Sequence, residues 1–324
     1  MGISIGMVGL GAFGKGFVDL FKAHPHLVSA FLLVAATGFI WALVGVVFSY
    51  ASRQRLHLPA FMFVSSSCNA LYAWLFLFEP AQWGAVRNFQ TFGMIGVMAL
   101  AGALGAIGFL LMGAAMRKGH RGVVWALGQC AMLLPLLTAV ACFGERPSAA
   151  NWAGVGAVLL GMGLLALRQS GPDNSARPER GWLWMAYAVF LVVGASLTLT
   201  TLPSHWDGFV DRANLRLPVM FSASALLLLG PTAAGGLRSL NPRTLLLGVL
   251  YSAVVFVGQV FLYRSLDAFV PLGRIGMVYP TAIGLCVALF SLYSVVFLKE
   301  RLSGVTMAGL ALMVAGILLL AANG

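Results

Sequence analysis

Charge is what this sequence has least of: Asp, Glu, Lys and Arg make up 9% of its 324 residues, against roughly 25% in a soluble domain. Long hydrophilic stretches are also missing, apart from Arg168 to Gly181. Combined with 60% hydrophobic residues and a mean hydropathy of +0.93, that scarcity excludes a water-soluble globule. Acids are the rarest charges, nine against twenty Lys and Arg, and they fall almost entirely in loops and at span ends. No nucleophile motif or phosphate loop accompanies them, so an enzyme has no site to be built from. A nucleotide-binding domain is absent as well, and direct ATP drive is not expected. The four cysteines, Cys68, Cys130, Cys142 and Cys286, lie inside apolar runs without metal-ligand spacing. They read as small packers in helices, and neither metal nor cofactor is expected.

The formal charge of +11 is spread in short clusters between apolar runs rather than along one polar face. It therefore reads as an orientation signal for membrane insertion and not as a nucleic-acid surface. Gly9, Gly11 and Gly14 spell G-x-G-x-x-G after Ile3 to Val8. A dinucleotide fingerprint also needs a following helix and an acid about 20 residues on, within a βαβ unit, whereas here the chain enters an apolar run. Residues 1–27 are read as an interfacial or re-entrant segment.

Apolar runs fall near 28–50, 60–79, 90–113, 122–142, 149–168, 182–203, 215–236, 243–263, 270–298 and 304–321. Each is long enough to cross a hydrocarbon core of about 30 Å as a helix, and the ninth is expected to tilt or kink at Pro280. Pro172, Asp173, Asn174, Ser175 and Pro178 give residues 169–181 the composition of a linker, dividing the chain into a repeat over 28–168 and a repeat over 182–324.

The two halves carry the same ending. Phe143-Gly-Glu145-Arg146-Pro-Ser148, then Ala153-Gly154 and Gly161, aligns without gaps with Leu298-Lys-Glu300-Arg301-Leu-Ser303, then Ala308-Gly309 and Gly316. An odd number of spans per repeat turns the second copy upside down, the inverted architecture of many secondary transporters. The fold class expected is thus an all-α integral membrane protein of ten transmembrane helices in two inverted five-helix repeats. Twelve of the twenty Lys and Arg residues follow odd-numbered spans, from Arg53 to Arg301, and eight lie on the other side with the N-terminal tail. This bias places both termini outside.

The Glu-Arg turn before a Gly-rich final helix, present twice, resembles the drug/metabolite transporter superfamily in its ten-helix, EamA-type form. A narrower set is similar to the rhamnose- and glucose-type sugar transporters of that superfamily: Gly102, Gly105, Gly108 and Gly113, Met116-Arg117, Ala126-Leu-Gly128, and Leu298-Lys299-Glu300. The same spacing of small residues also serves helices that pack closely. Small multidrug-resistance relatives use a membrane-embedded glutamate in their first helix, and Leu27 to Tyr50 contains no carboxylate, so their proton exchange does not carry over.

Polar groups within spans are costly in lipid and face the bundle interior or a water-filled cavity. Asn69 in the second span, Gln129 in the fourth and Gln259 in the eighth are candidates for substrate contact, with interhelical bonding as the alternative. Trp41, Tyr72, Trp74, Trp125, Tyr251 and Tyr279 could offer flat faces to a ring or a cation, or serve as packers and interfacial anchors. Trp41, Tyr72 and Tyr279 join the candidate site. Arg274, read as about one turn into the ninth span, either attracts an anion or snorkels. Glu145 and Glu300 are read as structural acids at helix-to-helix turns, each followed by a Ser that caps the next helix. Gly154 with Gly161, and Gly309 with Gly316, each share one helix face and read as a packing seam.

The functional reading is a secondary transporter of a small polar metabolite, with sugar as one class, working by alternating access in the bacterial cytoplasmic membrane. Its partners are a small-molecule substrate and the lipid bilayer, and a homodimer is admitted. Two other readings stand beside it: an EamA-type exporter of amino acids, drugs or other metabolites, and a membrane scaffold or sensor without flux. A scaffold predicts a dry interior. A transporter predicts a polar-lined cavity reaching Gln129 and Gln259.

Overall fold

The computed structural model describes residues 25–53, 56–78, 89–118, 124, 128–169, 181–206, 210–236, 239–297 and 304–322. The G-x-G-x-x-G segment, Trp125, Glu300 and nearly all of the linker lie outside them. Among the described residues there are ten α-helices: α1 (Pro25–Arg53), α2 (Leu58–Phe76), α3 (Phe89–Lys118), α4 (Leu133–Phe143), α5 (Ala149–Gln169), α6 (Trp182–Thr201), α7 (Arg216–Ala234), α8 (Pro242–Phe269), α9 (Val278–Val296) and α10 (Gly304–Ala322). Helix is the one open structure whose backbone bonds close within a segment, as lipid requires.

Helix starts are written locally. Asn241 accepts the Thr244 N–H at 2.9 Å and Pro242 occupies the first position of α8, where a missing N–H costs nothing. Gly144, at φ +69°, ends α4, and the Glu145 N–H returns to the Ala139 carbonyl at 3.2 Å, a glycine-based C-cap that fixes where the Glu145 carboxylate emerges.

Among the described residues, five segments are long and apolar enough to cross a membrane, from Val28–Phe48 to Pro242–Phe269, and four shorter apolar stretches accompany them. Leu75, Phe76, Leu160, Leu226, Leu246 and Leu318 each expose more than half of their surface. So much exposed large apolar surface is a lipid-facing belt. The chain is an integral membrane protein.

Exchanging α1–α5 with α6–α10 preserves the packing. The α3–α6 contact maps onto α8–α1, and α3–α7 maps onto α8–α2, while α2–α7 and α5–α10 map onto themselves; all are extensive. The helix contacts of the two sets of five thus correspond pair by pair. Helices α5 and α10 cross through the expected glycine seam. A Cβ on Gly154 would stand 2.9 Å from the Gly316 carbonyl oxygen, and one on Gly161 would stand 2.6 Å from that of Gly309.

Two expectations for the ninth span change. Residues 270–277 are turn and 3-10 helix, with Gly273 at φ +62°, and α9 begins only at Val278. Pro280 therefore stands in the first turn, where it replaces an unused donor and kinks nothing. The interruption falls in the fourth span instead. Pro135 cannot donate to the Ala131 carbonyl, which receives the Leu134 N–H at 3.1 Å, and the Met132 N–H bonds Gln129 at 3.2 Å. Residues 129–132 thus carry three-residue turns, as proline imposes on the preceding turn.

Candidate functional site

The two repeats enclose a cavity of about 240 Å³. Its wall is assembled from α1–α3 and α6–α9 together with the broken turn at Gln129, so neither repeat makes it alone. Close approach of the helices depends on glycine. A Cβ on Gly102 would overlap the Met220 carbonyl, and in the space so gained the Ser224 hydroxyl donates to the Gly102 carbonyl at 2.7 Å, while Ser196 donates to Ala101 at 2.8 Å. Serines from α7 and α6 thereby tie α3 to the opposite repeat with bonds that hydrocarbon does not contest.

Five of the seven candidate substrate contacts, Trp41, Asn69, Gln129, Gln259 and Tyr279, line this cavity. Trp41 and Tyr279 lie 6.3 Å apart between ring centroids, tilted by 30°, and Trp41 rests where Gly258 has no side chain. The Tyr279 hydroxyl is hydrogen-bonded to Thr200, which clamps α9 to α6. Gln129 reaches the cavity from the irregular turn before Pro135. Broken helices at such positions are tolerated in a membrane where they line a cavity.

Two candidates lie elsewhere. Tyr72 packs edge-on against Phe256 at 5.8 Å and is not among the lining residues. Arg274 is not within the ninth span: it occupies the turn between α8 and α9, where its N–H donates to the Phe269 carbonyl and its carbonyl accepts from the Met277 N–H. Of the other aromatics, Tyr251 lines the cavity, whereas Trp74 is partly exposed and donates to Ser222 at 3.0 Å.

Glu145 is a helix-terminal acid, but the helix is not the one that follows it. Ser148 caps α5, accepting the Asn151 N–H at 3.2 Å. Glu145 reaches 131 positions along the chain, where both carboxylate oxygens accept the Gly276 N–H at 3.1 and 3.2 Å, at the start of the segment leading into α9. His205 approaches the same carboxylate at 3.6 Å and stacks on Phe143 at 3.7 Å.

Beside this cluster lies an ion pair that the sequence reading missed. Arg216, 2% exposed, meets Asp267 at 2.6 Å. Its guanidinium also donates to Ser204 at 3.1 Å and covers the Tyr263 ring at 4.4 Å, while Ser204 donates to the other Asp267 oxygen at 3.2 Å. The ends of α4, α6 and α8 and the starts of α5, α7 and α9 share one side of the bundle, and this network lies there, on the side of the start of α1 and the end of α10. Toward the opposite side rings cluster: Phe48 lies 6.3 Å from Phe109 and 6.1 Å from Tyr251, and Tyr251 lies 5.0 Å from Phe61. Arg216 counts in the sequence as a loop charge, yet it is a buried structural cation. The legible signal was its place at a span boundary, one turn before the interior.

Among the described residues the chain is an all-helical bundle with a cavity between its two sets of five helices. Residues 28–167 match the EamA-like transporter family, so this part of the chain is similar to that family. A solved structure titled "Crystal structure of protein" is similar over 90% of this chain and 97% of its own, with a TM-score of 0.61 at 17% identity, which shows a common fold. No curated protein matches the chain.

Proposed function

We propose that the chain is a secondary transporter, not an enzyme, that moves a small polar metabolite by alternating access, and that the cavity between the repeats is its substrate site. The observation that carries this reading is the meeting of Gln129, from the first half, and Gln259, from the second, on one cavity wall. The moving bodies are the repeats 28–168 and 182–324, joined by 169–181. Alternating access needs two related packings, and an inverted repeat supplies them. The side that holds Arg216 and Asp267 is the outer one, since the Lys and Arg excess lies on the other, in the bacterial cytoplasmic membrane.

Coupling through a carboxylate in the cavity is not part of this proposal. Among the described residues, Glu145 is engaged with Gly276 and Asp267 with Arg216, both outside the cavity wall. Exchange or facilitated diffusion fits these groups better. The narrower reading, a sugar, draws support from the three amides Asn69, Gln129 and Gln259 and two flat aromatic faces, Trp41 and Tyr279, on a wall that is otherwise mostly apolar.

Counterflow uptake into proteoliposomes, across radiolabelled sugars, amino acids and quaternary amines, tests the reading. One class is taken up by the wild type, and Gln129→Ala and Gln259→Ala each reduce that uptake at least tenfold while the protein stays monodisperse. Absence of uptake for every class would favour a scaffold, and uptake indifferent to both substitutions would move the site elsewhere.

A further inference from the structure

The cavity wall contains no formally charged side chain among the described residues. A solute carrying a net charge, or the two charges of a zwitterion, would have to leave water without a counter-charge to meet it, a transfer far costlier than that of a hydrogen-bonded neutral group. Some polar groups of the wall are already committed: Ser196 and Ser224 donate to α3 carbonyls, and Thr200 and Tyr279 bond each other.

Asn69 stands apart because a buried acceptor on it is left unmet. It is 1% exposed, its Nδ2 donates to Ser65 at 3.4 Å, and its Oδ1 is buried without a partner. Three buried side-chain atoms in the described protein share that condition, and the other two belong to His205 and Thr232, neither of which lines the cavity. A buried carbonyl without a donor has lost its water and gained nothing in exchange, which discriminates strongly for a ligand that brings the missing donor.

We propose that the cavity selects an uncharged, ring-bearing solute, that a hydroxyl or N–H group of this solute donates to Asn69 Oδ1, and that Asn69 is thereby the residue that sets specificity. The ring lies against the Trp41 and Tyr279 faces. At roughly 30 Å³ per water, a cavity of about 240 Å³ holds about eight waters or one such small solute. This inference rests on the cavity being the transport site.

A charge-matched series tests it in proteoliposomes: glucose, rhamnose and uracil as neutral rings, glucuronate and glucosamine as charged counterparts of glucose, and phenylalanine as a zwitterion. A neutral ring is carried at least tenfold faster than the charged and zwitterionic probes. Asn69→Leu, close in size but without the acceptor, reduces that flux at least tenfold. Asn69→Asp keeps an acceptor and adds a charge, shifting the preference toward glucosamine; it reads the proposal even if the leucine variant fails to fold. Equal flux of glucose and its charged counterparts, carriage of phenylalanine as fast as any neutral ring, or an unaltered Asn69→Leu protein overturns the selection rule and leaves transport standing. No flux of any probe in the wild type overturns the transport reading and this inference with it.

Discussion

Asp267→Asn destabilises the folded protein by about 3 kcal/mol, the low end for breaking a buried pair, because the Asp267 side chain retains 34% of its exposure while that of Arg216 has 2%. The cost falls on Arg216. Its guanidinium stays in place under Ser204 and over Tyr263 but loses the carboxylate that meets it at 2.6 Å. Removing both partners is milder than removing one, since an apolar pair of similar volume has no stranded charge. The double variant Arg216→Met with Asp267→Leu is therefore more stable than Asp267→Asn alone. Thermal unfolding in one detergent orders the three proteins, and a double variant less stable than the single one would show that the pair is net stabilising beyond its mutual compensation.

Gly102→Val has a comparable effect for a different reason. A Cβ there overlaps the Met220 carbonyl, which is backbone and cannot rotate away, so α3 and α7 must separate and the 2.7 Å bond from Ser224 is lost. Overpacking costs about 1–3 kcal/mol, and a backbone obstacle puts this site at about 3 kcal/mol by the same scale. Because Gly102 also lines the cavity, uptake falls with stability. Gly96, on the same helix with nothing near its missing Cβ, is the control: Gly96→Val changes the unfolding temperature little. Equal losses at the two positions would attribute the effect to valine in a helix rather than to the crossing.

The glycine seam was legible because two features coincide in it: small residues on one helix face, and the same pattern repeated in the other half. The meeting of Trp41, Asn69, Gln129, Gln259 and Tyr279 was legible in part, because a polar or aromatic residue at mid-span depth in lipid has few places to point. Depth says nothing of rotation about the helix axis, and so Tyr72, at the right depth, faces Phe256 rather than the cavity. Arg274 misled for another reason. Val270, Leu272, Ile275 and Met277 are as apolar as a helix, and hydropathy does not separate irregular backbone from regular. Pro135 stood in view inside the fourth span, and its broken turn could have been anticipated. Arg216 and Asp267 are 51 positions apart, and nothing local in either segment announces the other.

Cys286 provides the most direct test of alternating access through this cavity. It lines the cavity wall at 6% exposure, and replacing Cys68, Cys130 and Cys142 by serine leaves it as the sole thiol. A membrane-impermeant thiol reagent is applied from one face of the proteoliposome at a time, with and without the transported solute. The account predicts modification from each face, slowed by the solute and accompanied by loss of uptake. Modification from one face only, unaffected by a solute that the same protein carries, would contradict it.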